Sequence, residues 1–216
     1  MTIKNNLQKI KNSLPKKVTL VAVSKTKPIE DLMEAYKAGQ RIFGENKVQE
    51  IVNKYPQMPS DTKWHMIGHL QRNKVKYLAP FIDLIHGIDS LKLLREINKQ
   101  AIKHDRIIKG LIQIKISNEI TKFGMTADEA QAMFCSKEFK SLNNVNIIGV
   151  MGMASFTTNE SQIRKEFLNL KLIFDSYKEF NPSMEVISMG MSGDYNLAIE
   201  CGSNMIRIGS SIFGSR

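Results

Sequence analysis

Cysteine is scarce: the 216-residue chain has two, Cys135 and Cys201, with no Cys-x-x-Cys spacing. That excludes a disulfide framework and a dithiol redox motif, and both residues fall in helical patterns, where they read as reduced, partly buried thiols of a cytoplasmic protein. Long hydrophobic runs are also missing. The longest nearly apolar stretch, 147–156, is far short of the roughly 20 residues a membrane-spanning helix needs. The N-terminus, Met1-Thr2-Ile3-Lys4-Asn5-Asn6-Leu7-Gln8-Lys9, has no apolar signal core. No Pro-, Ser- or Gly-rich linker divides the chain, so a single domain over 1–216 is expected. Acidic residues are outnumbered, 31 Lys and Arg against 21 Asp and Glu, for a formal net charge of +10. Such an excess suits a nucleic acid, an anionic membrane or a phosphorylated ligand. No aromatic-basic alternation or nucleic-acid motif accompanies it, so most of the lysines read as solvated surface.

What is present is an ordinary globular composition, 42% hydrophobic and 24% charged, arranged as an alternation of β-rich runs and helical patterns. A first amphipathic helix carries Ile3, Leu7, Ile10 and Leu14 at helical spacing. Strands are then expected at 18–23, 41–44, 64–68, 83–88, 109–116, 145–151, 185–189 and 205–208, each separated from the next by a helical pattern. Among those helices are 73–78, 126–139 and one marked by Ile163, Phe167, Leu170, Phe174 and Tyr177. Strands separated by helices pair in parallel with right-handed crossovers. Eight is the number that closes a (β/α)8 barrel of the TIM type, here with an extra N-terminal helix and short loops. The alternative, an open doubly wound sheet, usually has a Gly-x-Gly-x-x-Gly turn after its first strand; this chain has Ser24-Lys25-Thr26-Lys27-Pro28.

Barrel chemistry gathers at the C-terminal ends of the strands. Those ends carry Ser24-Lys25-Thr26-Lys27, Gly44-Glu45-Asn46, Gly68-His69-Leu70-Gln71-Arg72-Asn73, Ser117-Asn118 with Lys122-Phe123-Gly124, Met151-Gly152-Met153, Met189-Gly190-Met191-Ser192-Gly193-Asp194, and Arg207-Ile208-Gly209-Ser210-Ser211. A partly desolvated lysine amine beside a second cation loses its proton more readily, and the free amine is the nucleophile that condenses with an aldehyde. Lys25, next to an apolar strand and two residues from Lys27, is placed for that chemistry. Gly190 and Gly193 permit a tight turn, and helix N-terminal amides with the Ser192 hydroxyl suit a phosphate. Gly209-Ser210-Ser211 adds amides and hydroxyls where barrels of this kind usually bind phosphate, after strands seven and eight. Arg207 should point into the mouth and meet an acceptor: a ring nitrogen, a phosphate or a carboxylate. A lysine on strand one with a phosphate cup on strands seven and eight describes a site for a phosphorylated aldehyde, and pyridoxal 5′-phosphate fits.

The blocks Val21-Ala22-Val23-Ser24-Lys25-Thr26-Lys27-Pro28, Phe43-Gly44-Glu45-Asn46, Trp64-His65-Met66-Ile67-Gly68-His69-Leu70-Gln71-Arg72-Asn73-Lys74, Ser188-Met189-Gly190-Met191-Ser192 and Arg207-Ile208-Gly209-Ser210-Ser211-Ile212-Phe213-Gly214 run in order over nearly the whole chain. They resemble the pyridoxal phosphate homeostasis proteins, which are similar to the N-terminal barrel of alanine racemases. The resemblance implies that Lys25 carries the cofactor as an internal aldimine. It also implies that Ser192, Gly209 and Ser210 hold the phosphate, and that Arg207 faces the pyridine nitrogen and keeps it unprotonated. Asn46 matches a pocket-lining residue, Met189 belongs to the same cofactor-binding set, and Ser210 stands where many members have Thr. Racemases of this fold add a second, β-rich domain that supplies a tyrosine base. The sequence stops at Arg216, so that domain is expected to be absent. The implied role is a monomeric, cytoplasmic carrier or buffer of pyridoxal phosphate, linked to vitamin B6 and amino-acid balance and passing the cofactor to apo-enzymes. The competing reading is a racemase-like enzyme using the same lysine.

His65 and His69 lie four apart on a strand and its loop, without a His-Glu-x-x-His pattern, and do not suggest a metal.

Overall fold

A computed structural model describes residues 2–117 and 123–214. Asn118 and Lys122, two of the strand-end residues, lie outside the described residues. Eight parallel strands close into a barrel in sequence order: β1 (Thr19–Val23), β2 (Ile42–Glu45), β3 (Lys63–Met66), β4 (Leu84–Ile88), β5 (Ile108–Gln113), β6 (Val145–Met151), β7 (Val186–Ser188) and β8 (Met205–Ile208). Between and around them run α1 (Ile3–Ser13), α2 (Ile29–Lys37), α3 (Val48–Lys54), α4 (Val75–Leu78), α5 (Leu91–Lys103), α6 (Ala127–Cys135), α7 (Lys137–Lys140), α8 (Glu160–Tyr177), α9 (Tyr195–Glu200) and α10 (Ser210–Phe213). The eight-stranded barrel and the extra N-terminal helix expected from the sequence are both present. α1 packs against α2 and α10, so the helix that precedes β1 bridges the helices that follow β1 and β8.

Side-chain alternation divides the core in two. Leu20 and Ala22 of β1 join the large cluster between strands and helices, with Leu7, Leu32, Phe43, Ile97, Phe167 and Phe174. Val21, between them, joins the smaller cluster inside the barrel, with Leu84, Leu111, Ile148, Met151 and Met205. Both layers are aliphatic-rich and closely filled, so the barrel is a packed body rather than a pore. Closure between β8 and β1 sets Val21 opposite Arg207, which puts the mouth end of β8 beside the mouth end of β1.

Three expectations need correcting. The 126–139 helix is two, α6 and α7, because the Ser136 hydroxyl donates to the Met133 carbonyl (2.7 Å) and accepts from the Phe139 amide (3.1 Å), ending one helix and capping the next. The helix at 73–78 begins as a tight turn over Arg72–Lys74 and is α-helical only in α4. Cys135, at the end of α6, is exposed; Cys201 is buried. Among the described residues, no helix is long and apolar enough to cross a membrane.

Candidate functional site

β1 delivers Lys25 to the mouth, and the residues on either side of it are tied down. The Ser24 amide donates to the Gly44 carbonyl (3.0 Å), extending the β1–β2 ladder past the end of β1. The Ser24 hydroxyl donates to Glu45 Oε1 (2.7 Å). Lys54, near the end of α3, reaches under the loop and donates through Nζ to the Ser24 carbonyl (2.9 Å), Glu45 Oε1 (2.7 Å) and Glu50 Oε2 (3.3 Å). Glu50 in turn accepts from the Thr26 amide (2.7 Å). Thr26 needs that hold, since its φ of 64° lies in the left-handed region that a β-branched residue resists. Lys25 itself is half-buried and has no hydrogen-bond or ion-pair partner among the described residues.

Glu45 and Lys54 are buried, so this clamp is charge placed inside the fold. Burial pushes the Glu45 carboxyl above its ordinary range, and the hydrogen bonds from Lys54 and Ser24 offset this only in part. For Glu50, burial also raises the carboxyl, but the Thr26 amide and the Lys54 ammonium outweigh it and leave the group lowered. Glu45 was marked by the sequence only as a strand-end residue, and neither Glu50 nor Lys54 was expected there. The spacing of Glu50 and Lys54 is a helical i, i+4 pair, which signals an ion pair but not that it turns inward to grip Ser24.

Beside the end of β1, the loops after β7 and β8 come together. The Ser192 hydroxyl accepts from the Gly209 amide at 3.4 Å. Gly190 turns the chain out of β7 with φ of 97°, a conformation suited to glycine. A Cβ built on Gly209 would lie 3.1 Å from the Val23 carbonyl oxygen and 3.3 Å from Val23 Cβ. Glycine there lets the β8 loop close onto the end of β1, next to Lys25. Ser210 and Ser211 open α10, where first-turn amides have no partner within a helix. The helices that follow the two loops are short, α9 and α10, so the amides and hydroxyls themselves, rather than a long helix dipole, face an anion.

Arg207, expected to point into the mouth and meet a ring nitrogen, a phosphate or a carboxylate, is buried in the barrel and meets two backbone carbonyls and a hydroxyl of the protein instead. Nη1 donates to the Ser188 carbonyl (2.9 Å) and hydroxyl (2.7 Å), and Nη2 to the Gly152 carbonyl (3.1 Å). Burial lowers its guanidinium to about 10, with Asp194 pulling the other way, so it stays charged at neutral pH.

The structure therefore brings Lys25, Ser192, Arg207, Gly209 and Ser210 to the β7–β8–β1 side of one mouth. Asn46 follows β2 and is exposed at the same end. Its backbone carbonyl packs so near Gly68 that a Cβ on Gly68 would lie 2.4 Å from it. Met189 stands apart: its side chain is fully buried in the layer between strands and helices, and its carbonyl accepts from the Ser203 hydroxyl (2.7 Å). An open hollow of about 500 Å³ lies after β3 and β4, lined by His69, Arg72, Asp89, Ser90 and Lys92 and by none of these residues.

The whole chain, residues 1–216, matches the family model described as alanine racemase, N-terminal domain. The pyridoxal phosphate homeostasis protein of Vibrio alginolyticus is 40% identical over 210 residues, 94% of this chain and 88% of that one. The structure of PipY of Synechococcus elongatus PCC7942 with PLP bound superposes with a TM-score of 0.90 at 32% identity, covering 99% of this chain and 100% of that one. An alanine racemase of Clostridium difficile 630 shares the fold alone, with a TM-score of 0.83 at 16% identity over 100% of this chain and 57% of the racemase. By sequence and fold together, the chain belongs to the alanine racemase N-terminal domain family and, within it, to the pyridoxal phosphate homeostasis proteins.

Proposed function

We propose that the barrel mouth binds pyridoxal 5′-phosphate through Lys25, and that the protein carries or buffers this cofactor in vitamin B6 and amino-acid homeostasis without catalytic turnover. The observation that carries the reading is convergence. An amine without a partner among the described residues stands beside a cup of amides and hydroxyls, and Gly209 is pressed against Val23 to bring the two together. The donor set fits the group: one primary amine for an aldehyde, uncharged N–H and O–H donors for a phosphate, and a buried cation between them. When bound, the cofactor supplies an aldehyde that forms a Schiff base with a primary amine, and a ring able to take up electron density.

Lys25 contributes the amine, and the Glu45–Lys54–Glu50 clamp fixes the backbone from which it projects. Ser192, Gly209 and Ser210 receive the phosphate. Arg207 would face the ring nitrogen, where a guanidinium, which only donates hydrogen bonds, would favour the unprotonated nitrogen. That makes the ring a weak electron sink and suits retention over turnover. Asn46 borders the mouth, and Met189 shapes the β7 end through its backbone. The naming of the relatives as homeostasis proteins supports a carrier role over a racemase-like one. In this reading residues 1–216 act as one monomeric unit in the cytoplasm, with apo-enzymes as recipients and with no specific nucleic acid or membrane partner.

Purified protein incubated with pyridoxal 5′-phosphate should take on a visible absorption band, which Lys25→Ala should lose. A Lys25→Ala variant with an unchanged band would refute the assignment. Mixing the loaded protein with an apo-enzyme, and comparing its activation with that by free cofactor, tests the carrier role: no transfer above the free-cofactor rate would remove it. Rapid, stereospecific exchange of the Cα hydrogen of added amino acids would favour the enzyme reading instead.

A further inference from the structure

A line of polar side chains runs down the barrel through its apolar filling. From Arg207 the contacts continue beyond Ser188: Ser188 Oγ lies 3.1 Å from His86 Nδ1, His86 Nε2 lies 3.0 Å from His65 Nδ1, and His65 Nε2 lies 3.3 Å from Asp83 Oδ2. Ser188, His86, His65 and Arg207 are all buried. Asp83 directly precedes β4, at the end of the barrel opposite the mouth, and its side chain is 38% exposed. The line thus begins at the cofactor end and finishes at solvent on the barrel floor.

Counting donors and acceptors gives the line a direction. A guanidinium only donates and a carboxylate only accepts. Ser188 accepts from Arg207 and has one hydrogen to pass on. A neutral imidazole has one N–H and one lone pair. With both rings neutral, one arrangement satisfies all the contacts: Ser188 donates to His86 Nδ1, His86 Nε2–H to His65 Nδ1, and His65 Nε2–H to Asp83. The reverse arrangement would set the lone pair of His65 Nε2 against the Asp83 carboxylate. Burial lowers both histidines, which agrees with neutral rings. The charges around the line are few: Lys63 and Lys109 near Asp83 and His65, and Asp194 near Arg207.

We propose that Asp83, His65, His86 and Ser188 are positioning residues that hold and polarise Arg207, so that the floor of the barrel tunes the cofactor ring at its mouth. The inference rests on the reading that Arg207 faces the ring nitrogen. Hydrogen bonds aligned in one sense polarise one another in a low-dielectric interior. The terminal carboxylate therefore pushes electron density up the line through both imidazoles to the Ser188 hydroxyl, and strengthens the oxygen that accepts from Arg207. The Ser188 and Gly152 carbonyls hold the guanidinium plane, so the effect reaches the ring as a change in electrostatics rather than a displacement.

The test uses the full chain and the half-exposed, distant end of the line. Long-range ¹⁵N–¹H correlation spectra of the cofactor-free protein report the tautomers of His65 and His86; both should be Nε2–H. Asp83→Ala should mix the His65 tautomers, shift the visible band of the loaded protein by several nanometres and weaken cofactor binding about fivefold, the worth of one hydrogen bond. Asp83→Asn, whose side-chain carbonyl can still accept from His65 but carries no charge, should restore the tautomers and only part of the band position and affinity. An Nδ1–H or doubly protonated ring at neutral pH in the wild type would overturn the direction of the line. Altered tautomers in Asp83→Ala with an unshifted band would overturn the coupling to the cofactor. A wild type that forms the expected tautomers but never acquires a visible band would sink the functional reading and leave the line of hydrogen bonds standing, so the two failures are distinguishable.

Discussion

The two sides of the mouth are built from different materials. On the β1 side, the loop bearing Lys25 is gripped by buried charge: Lys54 holds Ser24 and Glu45 at once, and Glu50 holds Thr26. On the β7–β8 side, the cup consists of amides and hydroxyls at or near the surface, joined by the long Ser192–Gly209 contact. On the proposed function, the difference follows from what each side would have to hold. A covalent link fixes the position of one atom, so the backbone behind Lys25 must be rigid before the ligand arrives. A phosphate is hydrated and multiply charged, and several weak donors arranged around it suffice. Rigidity is therefore concentrated behind the amine and adaptability around the anion.

The comparison breaks most severely at Lys54. Lys54→Met leaves Glu45 buried without its cation and should cost about 3–5 kcal/mol of stability by urea unfolding. Adding Glu45→Leu should recover much of that loss, because the uncompensated charge is removed with it. If Lys54→Met unfolds at the wild-type midpoint, the clamp does not hold the β1 side.

Acid attacks the barrel from within. His65 and His86 are lowered by burial, and the Asp83 carboxyl is lowered by its hydrogen bond from His65. The unfolded chain then binds more protons than the folded one as pH falls below the ordinary histidine value of about 6.5. The stability that the neutral histidines contribute is present above that value and is lost progressively below it, whereas the contribution of Asp83 is lost only as the pH falls below the ordinary aspartate value of about 3.9. Unfolding midpoints should therefore fall between pH 7 and 5, and a His65→Phe, His86→Leu double variant should flatten that slope. An unchanged slope would mean that the interior histidines are not held neutral.

Ser192→Ala should cost less than about 1 kcal/mol of stability, yet weaken cofactor binding roughly tenfold, since a hydrogen bond to a charged oxygen is worth more than one between neutral groups. Equal losses in stability and affinity would mean that the cup is structural. The smallest effect is expected at Thr26, where glycine relieves a left-handed backbone worth about 1 kcal/mol. Thr26→Gly should raise the thermal midpoint by a few degrees while broadening the visible band, because the backbone behind Lys25 becomes freer.

Much of this was legible in the sequence. Short apolar runs marked the strands of the barrel, because parallel strands covered on both faces read as near-continuous apolar stretches such as Val18 to Val23. Lys25 stood out because it follows such a run directly, and Ser192 with Gly209 because glycine and serine cluster where strands seven and eight end. The clamp was not legible: whether Lys54 faces solvent or Ser24 depends on how α3 docks, which local spacing does not encode. Ser136 broke a helix that periodicity alone runs together. His65 and His86 could have been paired, since each sits at an inward position of neighbouring strands, Trp64-His65-Met66 and Ile85-His86-Gly87. Their separation of 21 residues in sequence conceals that they meet.

The central claim is that Lys25 is the point of attachment. Borohydride reduction of the pyridoxal-phosphate-loaded protein, followed by proteolysis and mass spectrometry, should place a single phosphopyridoxyl group on Lys25. A group on Lys27 or another lysine, or no stable adduct at all, would contradict it.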